Sequence, residues 1–309
     1  MQALIGRGGK RLRPHLLYVT YAAYGGQKPD KIIDVGVALE LHHQFLLTHD
    51  DLIDSDTERY GGPNIVGAYL RDNGISVRNT AQAMSLLAGD LLFTFSNQAI
   101  IGSNDLSREQ KVDLLALLQS KNVAVAYGEQ LDVYNVGPGT ASSTEKDLLL
   151  IHSLKCAAYT TQLPMQCAAL LRRLDASECK KIDEFAVSFG VLIQLIDDYS
   201  DYFHAPSVVN DRPKYRDFRQ GKLTFPLRAA LTRADRRQVK YLKSALGTKN
   251  LPDAAMETIV KILEASGARQ ASRDQIEAYY EKTLQALDRL SPPSDQKQPL
   301  MQLIKKFQT

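Results

Sequence analysis

The chain has 309 residues, 44% of them hydrophobic and 24% charged, which allows one large domain or two ordinary ones around a sizeable core. Its formal net charge of +3 is too weak to mark a binder of nucleic acid or of an acidic membrane surface. No apolar run approaches the ~20 residues that span a bilayer, and no signal-peptide pattern opens the chain.

In chain order, an apolar rhythm of three to four residues predicts helices over 16–23, 35–53, 80–101, 108–127, 145–172, 177–203, 222–232 and 273–290. Strict alternation over strand length is scarce. Breaks fall at YGGQKPD, RYGGPN, NVGPGTASST, APSVVNDRP and LSPPSDQ, where Gly, Pro, Ser and Asn cluster. Ser177 and Asp183 offer helix-start chemistry, and the two glycines after Tyr24 offer a stop. No break is long or biased enough to read as a linker, so the expectation is a single all-α domain over 1–309. Three cysteines, Cys156, Cys167 and Cys179, lack metal-ligand spacing and point to a reducing cytoplasm.

Two stretches stand out. HDDLIDSD places Asp50, Asp51 and Asp54 at the end of one apolar helical run, and QLIDDYSD places Asp197, Asp198 and Asp201 at the end of another. Each is a DDxxD pattern, and residues three and four apart share a helix face. Like charges at that spacing weaken a helix by a few tenths of a kcal/mol. Two such sets brought face to face would repel by ~4 kcal/mol per close pair at an effective dielectric of 20. A cation between them removes the conflict. Ligands that are all oxygen favour hard ions, and Mg²⁺ takes one or two carboxylates with waters and phosphate oxygens. Neither stretch has the Gly and closing Glu of a calcium loop. A lone DDxxD is commonly a solvated helix end; the repetition points to metal and phosphate chemistry.

Seven short patterns then occur in one order: GGKRLRP, DDLID with R-x-G-x-P, AGD, GEQLD, Lys155, QLIDDYSD and GKLTFP, with a fainter ASGARQ at 265–270. In this the chain resembles the trans-isoprenyl diphosphate synthases, the polyprenyl synthetase family. The resemblance implies a helical bundle around a deep central cavity, with the two aspartate motifs facing each other. It implies three Mg²⁺ ions, with Mn²⁺ as a substitute, held by Asp50, Asp51, Asp54, Asp197, Asp198 and Asp201. The implied reaction joins isopentenyl diphosphate to an allylic diphosphate, lengthening the chain by five carbons. By the same resemblance Lys10, Arg13 and His43 bind isopentenyl diphosphate. Arg59, Lys155, Gln194 and Lys222 hold the allylic diphosphate, together with Arg212 or Lys214. Asp50, Asp51, Asp54, Asp197, Lys155 and Lys222 carry the catalysis. Gly89 and Asp90 of AGD serve close packing and hydrogen bonding. A homodimer is implied too, with no membrane anchor and no nucleic-acid partner.

Departures from the family pattern are specific. Tyr60 stands where a second arginine usually follows Arg59, and one neutral hydroxyl does not replace a guanidinium fork. Cys156 follows Lys155 where Thr or Ser is usual, and is a poorer donor. The run from Asn64 to Leu87 is longer than usual, and the family helix ahead of GGKR is missing from this sequence. Product length in the family is set one or more turns before the first aspartates. Phe45 and Leu46 stand there, and one turn is ~5.4 Å, close to the reach of an isoprene unit. Phe45 without an insertion in DDLID resembles the C20 type, with C15 next; packing in the core is the plainer role for such a ring.

Two alternatives remain. A non-catalytic or weakly catalytic subunit of a heteromeric synthase would suit Tyr60 and Cys156, although all six aspartates are kept. A terpene cyclase would have no use for GGKRLRP or for a second full DDxxD.

Overall fold

Helix ends in this chain follow its glycines, prolines and short polar caps. The computed structural model describes residues 6, 9–72, 77–136, 143–203 and 215–308. Helix α1 (Leu12–Ala23) stops where Gly25 takes φ 78, a left-handed angle that costs glycine little. The N–H groups of Gly25 and Gly26 cap the carbonyls of Ala22 and Tyr21. A 3₁₀ turn (Pro29–Ile32) leads into α2 (Ile33–Ile53). A two-stranded antiparallel ribbon follows, β1 (Glu58–Arg59) and β2 (Gly62–Pro63), with Arg59 opposite Gly62. Its loop residues, Tyr60 and Gly61, have φ 54 and 67, the type I′ geometry that suits the twist of a tight hairpin.

The helices that follow are α3 (Ile65–Asp72), α4 (Arg78–Gly102), α5 (Arg108–Tyr134) and α6 (Glu145–Ile151). Helix α6 opens on a Thr144–Asp147 capping box. It runs into a wider-wound π-helical segment (His152–Gln162) and then α7 (Leu163–Leu171). The chain continues through α8 (Ala176–Phe203), α9 (Arg216–Gln220), α10 (Phe225–Arg233) and α11 (Arg236–Ala245). It closes with α12 (Asp253–Ala265), α13 (Ala268–Asp288) and α14 (Ser294–Lys305).

The chain divides into two compact units. The first comprises Met1–Gln119 with Leu163–Leu174, the second Ser120–Gln162 with Asp175–Thr309. In the first, Leu17, Tyr21, Val35, Leu39, Ile100, Leu114 and Leu163 form the core. Ser96 of α4 donates to the Ala38 carbonyl of α2 at 2.8 Å, tying those two helices together. In the second, Tyr202, Phe218, Leu227, Leu242, Met256 and Ile259 form the core. There the π segment is packed at backbone range. A Cβ on Gly128 of α5 would stand 2.8 Å from the Leu154 carbonyl carbon, and one on Gly190 of α8 would stand 2.6 Å from Ala157 Cα. Only glycine permits such approaches.

Several expectations change. The predicted 145–172 helix is three pieces, since a π segment has the same apolar spacing as an α-helix over so short a run. Helix α10 begins at Phe225 instead of 222, because Gly221 (φ 81) ends α9 and Pro226 favours a helix start. The cap of α8 is Asp175, which accepts from Glu178 N at 2.9 Å, rather than Ser177 or Asp183. The 64–87 stretch carries α3 and the start of α4. Helix α4 also overturns the reading that nothing approaches a membrane-spanning run: by length and composition it is long and apolar enough, and 33% of its apolar window is buried. Isolated polar residues such as Asp90 hide this in the sequence. Leu87, Leu91 and Phe95 lie on its exposed side.

Candidate active site

In the first unit, α2 carries His43, Phe45, Leu46, Asp50 and Asp51. Asp54 caps its last turn, so the DDxxD pattern straddles a helix end. Asp51 is buried and Asp50 half-buried. Arg59, on β1, lies across both: Nε donates to Asp51 Oδ1 at 2.8 Å and Nη2 to Asp50 Oδ2 at 2.9 Å. Burial pushes the Asp51 carboxyl up to about 6, against the pull of the Arg59 guanidinium. Desolvation prevails there, so this carboxylate gains from a cation beyond Arg59.

Lys10 is exposed just ahead of α1, and Arg13 is buried in its first turn. Beside these assigned residues lies a second histidine of α2. His42 is 1% exposed, and neither ring nitrogen has a hydrogen-bond partner. Burial first, and Arg13 second, lower its pKa to about 3. Its ring stands 5.4 Å from that of Phe45, which packs 5.0 Å from Phe93 of α4 and edge-on to His49 at 4.8 Å. Phe45 is therefore one of an aromatic group. Gly89 admits the His49 ring, since a Cβ there would come 2.5 Å from His49 Cδ2, and His49 Nε2 lies 3.7 Å from Asp90. Packing and polar contact at AGD match expectation.

In the second unit, α8 carries Gln194, Asp197, Asp198 and Asp201 through its last turns. All three aspartates are buried. Asp198 accepts from Gln194 Nε2 through Oδ1 at 2.9 Å and from Phe225 N through Oδ2 at 3.1 Å, and His152 Nε2 lies 3.3 Å from Oδ2. Asp201 accepts from Arg216 N at 2.9 Å through Oδ1, while its buried Oδ2 has no hydrogen-bond partner. Burial, then the charge of Asp217 and also that of Asp197, raises the Asp201 carboxyl well above the usual carboxylate range. Lys155, on the π segment, is 2.7 Å from Glu129 and 2.6 Å from Asp132. Burial pushes the neighbouring Cys156 thiol far up, so it stays protonated. Lys222 is half-buried in the turn between α9 and α10. Arg212 and Lys214 lie outside the described residues.

The same unit braces its aspartates from behind. Tyr199, inside DDYSD, is buried, and its hydroxyl accepts from Arg273 Nε at 3.0 Å and Arg269 Nε at 3.3 Å, both on α13. The sequence reading assigned nothing to Glu129, Asp132, His152 or these arginines. GEQLD had flagged the first two as a motif. His152 stands one helical turn before Lys155. Arg269 lies in the fainter ASGARQ, and Arg273 left no signal.

Among the described residues, no three His, Cys, Asp or Glu side chains converge as a complete metal cage. Mg²⁺ draws only one or two carboxylates from a protein and fills its shell with water and phosphate. The buried orphan oxygen of Asp201 and the raised Asp51 are donors of the required kind.

Comparisons agree with this chemistry. A family model described as polyprenyl synthetase matches residues 1–263. A short chain isoprenyl diphosphate synthase of Methanocaldococcus jannaschii is 29% identical over 267 residues, 85% of this chain and 75% of that protein. A geranylgeranyl diphosphate synthase of Sulfolobus acidocaldarius is 26% identical, over 94% of this chain and 84% of its own. Among solved structures, geranylgeranyl pyrophosphate synthase from Corynebacterium glutamicum, complexed with isoprenyl diphosphate and magnesium, superposes with TM-score 0.89 at 25% identity, covering 98% of this chain and 87% of that one.

Proposed function

The chain belongs to the polyprenyl synthetase family, the trans-prenyltransferases, and from that premise we propose that it condenses isopentenyl diphosphate with an allylic diphosphate to an all-trans C15–C20 diphosphate, C20 above all. The observation that carries this is the pair Asp50 and Asp51 at the end of an apolar helix, bridged by one guanidinium. Arg59, Lys155, Gln194 and Lys222, with Arg212 or Lys214, hold the allylic diphosphate. Lys10, Arg13 and His43 hold isopentenyl diphosphate. The allylic C–O bond breaks and its electrons leave with the diphosphate. The double bond of isopentenyl diphosphate closes on the allylic cation, and a proton is then lost. Asp50, Asp51, Asp54, Asp197, Asp198 and Asp201 would hold Mg²⁺, three ions by the family pattern, which when bound would stabilise the charge that builds on the departing oxygen. Gln194 and His152 orient Asp198 for this. Phe45 and Leu46 close the path of the growing chain.

The 309 residues act as one catalytic domain of a cytoplasmic homodimer. The exposed Leu87, Leu91 and Phe95 of α4 support an apolar contact between copies in preference to a membrane anchor. A second reading, a modulatory subunit with little activity of its own, draws on Tyr60, whose single hydroxyl replaces the family's second arginine. A product assay separates the two. Purified protein with Mg²⁺, isopentenyl diphosphate and dimethylallyl, geranyl or farnesyl diphosphate in turn is expected to give a defined C20 or C15 alcohol after dephosphorylation. Folded protein that elongates none of the three starters refutes the catalytic reading.

A further inference from the structure

Arg59 has two demands on one side chain. Besides the hydrogen bonds to both carboxylates, its Nη2 stands 2.6 Å from Asp51 Oδ1. The side chains of Arg59 and Asp51 are 7% and 3% exposed, so solvent and salt screen this contact little. A divalent cation held by these aspartates draws on the same negative charge, and a guanidinium at hydrogen-bonding distance opposes it. The diphosphate attracts the arginine and the cation alike.

We infer that Arg59 is an exchangeable counter-ion: it neutralises Asp50 and Asp51 until a diphosphate offers it another anion, and only then do these aspartates take a divalent cation at full affinity. The inference rests on the proposed roles of these three residues. The moving part is the side chain, because its platform is fixed. Asn64 N donates to Thr57 O at 3.0 Å, the Asn64 amide to Asp56 O at 2.9 Å, and Gly67 N to Asn64 Oδ1 at 2.9 Å. A Cβ on Gly67 would run into the Thr57 carbonyl, so the ribbon has no room to slide at its base. Arginine's long stem allows the guanidinium to turn from carboxylate to phosphate, both of which fit its fork. The exchange never leaves the buried carboxylates as an uncompensated pair, the costly state for such groups. In the second unit Lys155 is likewise engaged by Glu129 and Asp132.

Mn²⁺ binding, counted by electron paramagnetic resonance, tests this without relying on turnover. The sites lost in Asp50→Asn define the first cluster. Without pyrophosphate, Arg59→Gln is expected to bind Mn²⁺ there at least ~10-fold more tightly than wild type. Arg59→Lys, which keeps the charge but loses the fork, should fall between. Unchanged or weaker affinity in folded Arg59→Gln overturns the exchange. If that variant does not fold, wild type decides: with ¹⁵N-labelled arginine, the Arg59 Nε–H resonance is expected to shift when Mg²⁺ and pyrophosphate are added together. A resonance that stays in place overturns the inference. A product assay on the same wild-type protein tests the proposed function separately. Active enzyme with an unmoved Arg59 removes only the exchange, whereas a moved Arg59 in inactive enzyme removes only the proposed function.

Discussion

Gly190→Ala sets two well-characterised effects against each other. A Cβ at that position of α8 would lie 2.6 Å from Ala157 Cα and 2.5 Å from Thr161 Oγ1. Carbon atoms rest at about 3.5–4.0 Å, so the added methyl lacks about 1 Å of room, and Ala157 Cα is backbone that cannot rotate aside. Alanine gains ~1 kcal/mol over glycine inside a helix. Overpacking costs ~1–3 kcal/mol, the upper part of that range where backbone must shift. Thr161 adds to the cost, since its hydroxyl donates to Ala157 O at 3.0 Å and Ala186 O at 2.7 Å, and displacement forfeits ~1 kcal/mol. The clash prevails by ~2 kcal/mol, which lowers Tm by about 3 °C in a protein of this size. Thermal unfolding followed by circular dichroism reads this directly. The same segment carries Lys155, so a raised KM for the allylic diphosphate should accompany the loss. A Tm equal to or above wild type would mean that helix propensity decides and that the π segment is not gripped at backbone range.

Three further outcomes follow from named contacts. His42 has a folded pKa of about 3 against 6.5 when exposed, so the unfolded chain binds the extra proton first. Its contribution is fully present above pH 6.5 and is lost as pH falls toward 3, on the order of 5 kcal/mol in all. His42→Leu should therefore resist acid unfolding better than wild type while matching it at pH 7; coincident acid curves would refute this. Phe45→Ala should lengthen the main product by one or two five-carbon units, read by chromatography of the alcohols, and an unchanged product confines the ring to packing against Phe93. Tyr60→Arg leaves the left-handed backbone cost as it is, since neither residue is glycine. It should lower the KM for isopentenyl diphosphate several-fold, and no change would mean that another cation already fills the role.

The long amphipathic helices were legible from residue order alone. Helices α2, α4 and α8 begin and end within two residues of their predicted limits because their apolar periodicity runs unbroken over their length. The polar helix α11 escaped notice because it buries only Leu242 and Ala245. Helix α14 follows a Pro-Pro-Ser break that reads equally as a loop, and the π segment differs from α-helix by hydrogen-bond register, which residue types do not encode. At the candidate site, both aspartate runs, Arg59 and Lys155 were visible because they sit in motifs. Of their partners in the second unit, Glu129 and Asp132 lay in GEQLD without an assigned role, and His152 lay outside any motif. Glu129, Asp132 and His152 gain meaning only once α5, the π segment and α8 are packed together, and Arg269 and Arg273 meet Tyr199 across some seventy residues of sequence.

The grip of Arg269 and Arg273 on Tyr199 bears on how far the chain can be trimmed. A version cut ahead of Arg269 would keep every aspartate, lysine and arginine assigned to substrate or metal, and on a residue inventory would look complete. It would nonetheless release the hydroxyl of Tyr199, the residue between Asp198 and Ser200 in sequence, and remove α13, which packs on α8. Helix α13 is in that sense a buttress for residues it never touches chemically, and minimal versions of this protein should be drawn around what holds Tyr199 in place as well as around the motifs.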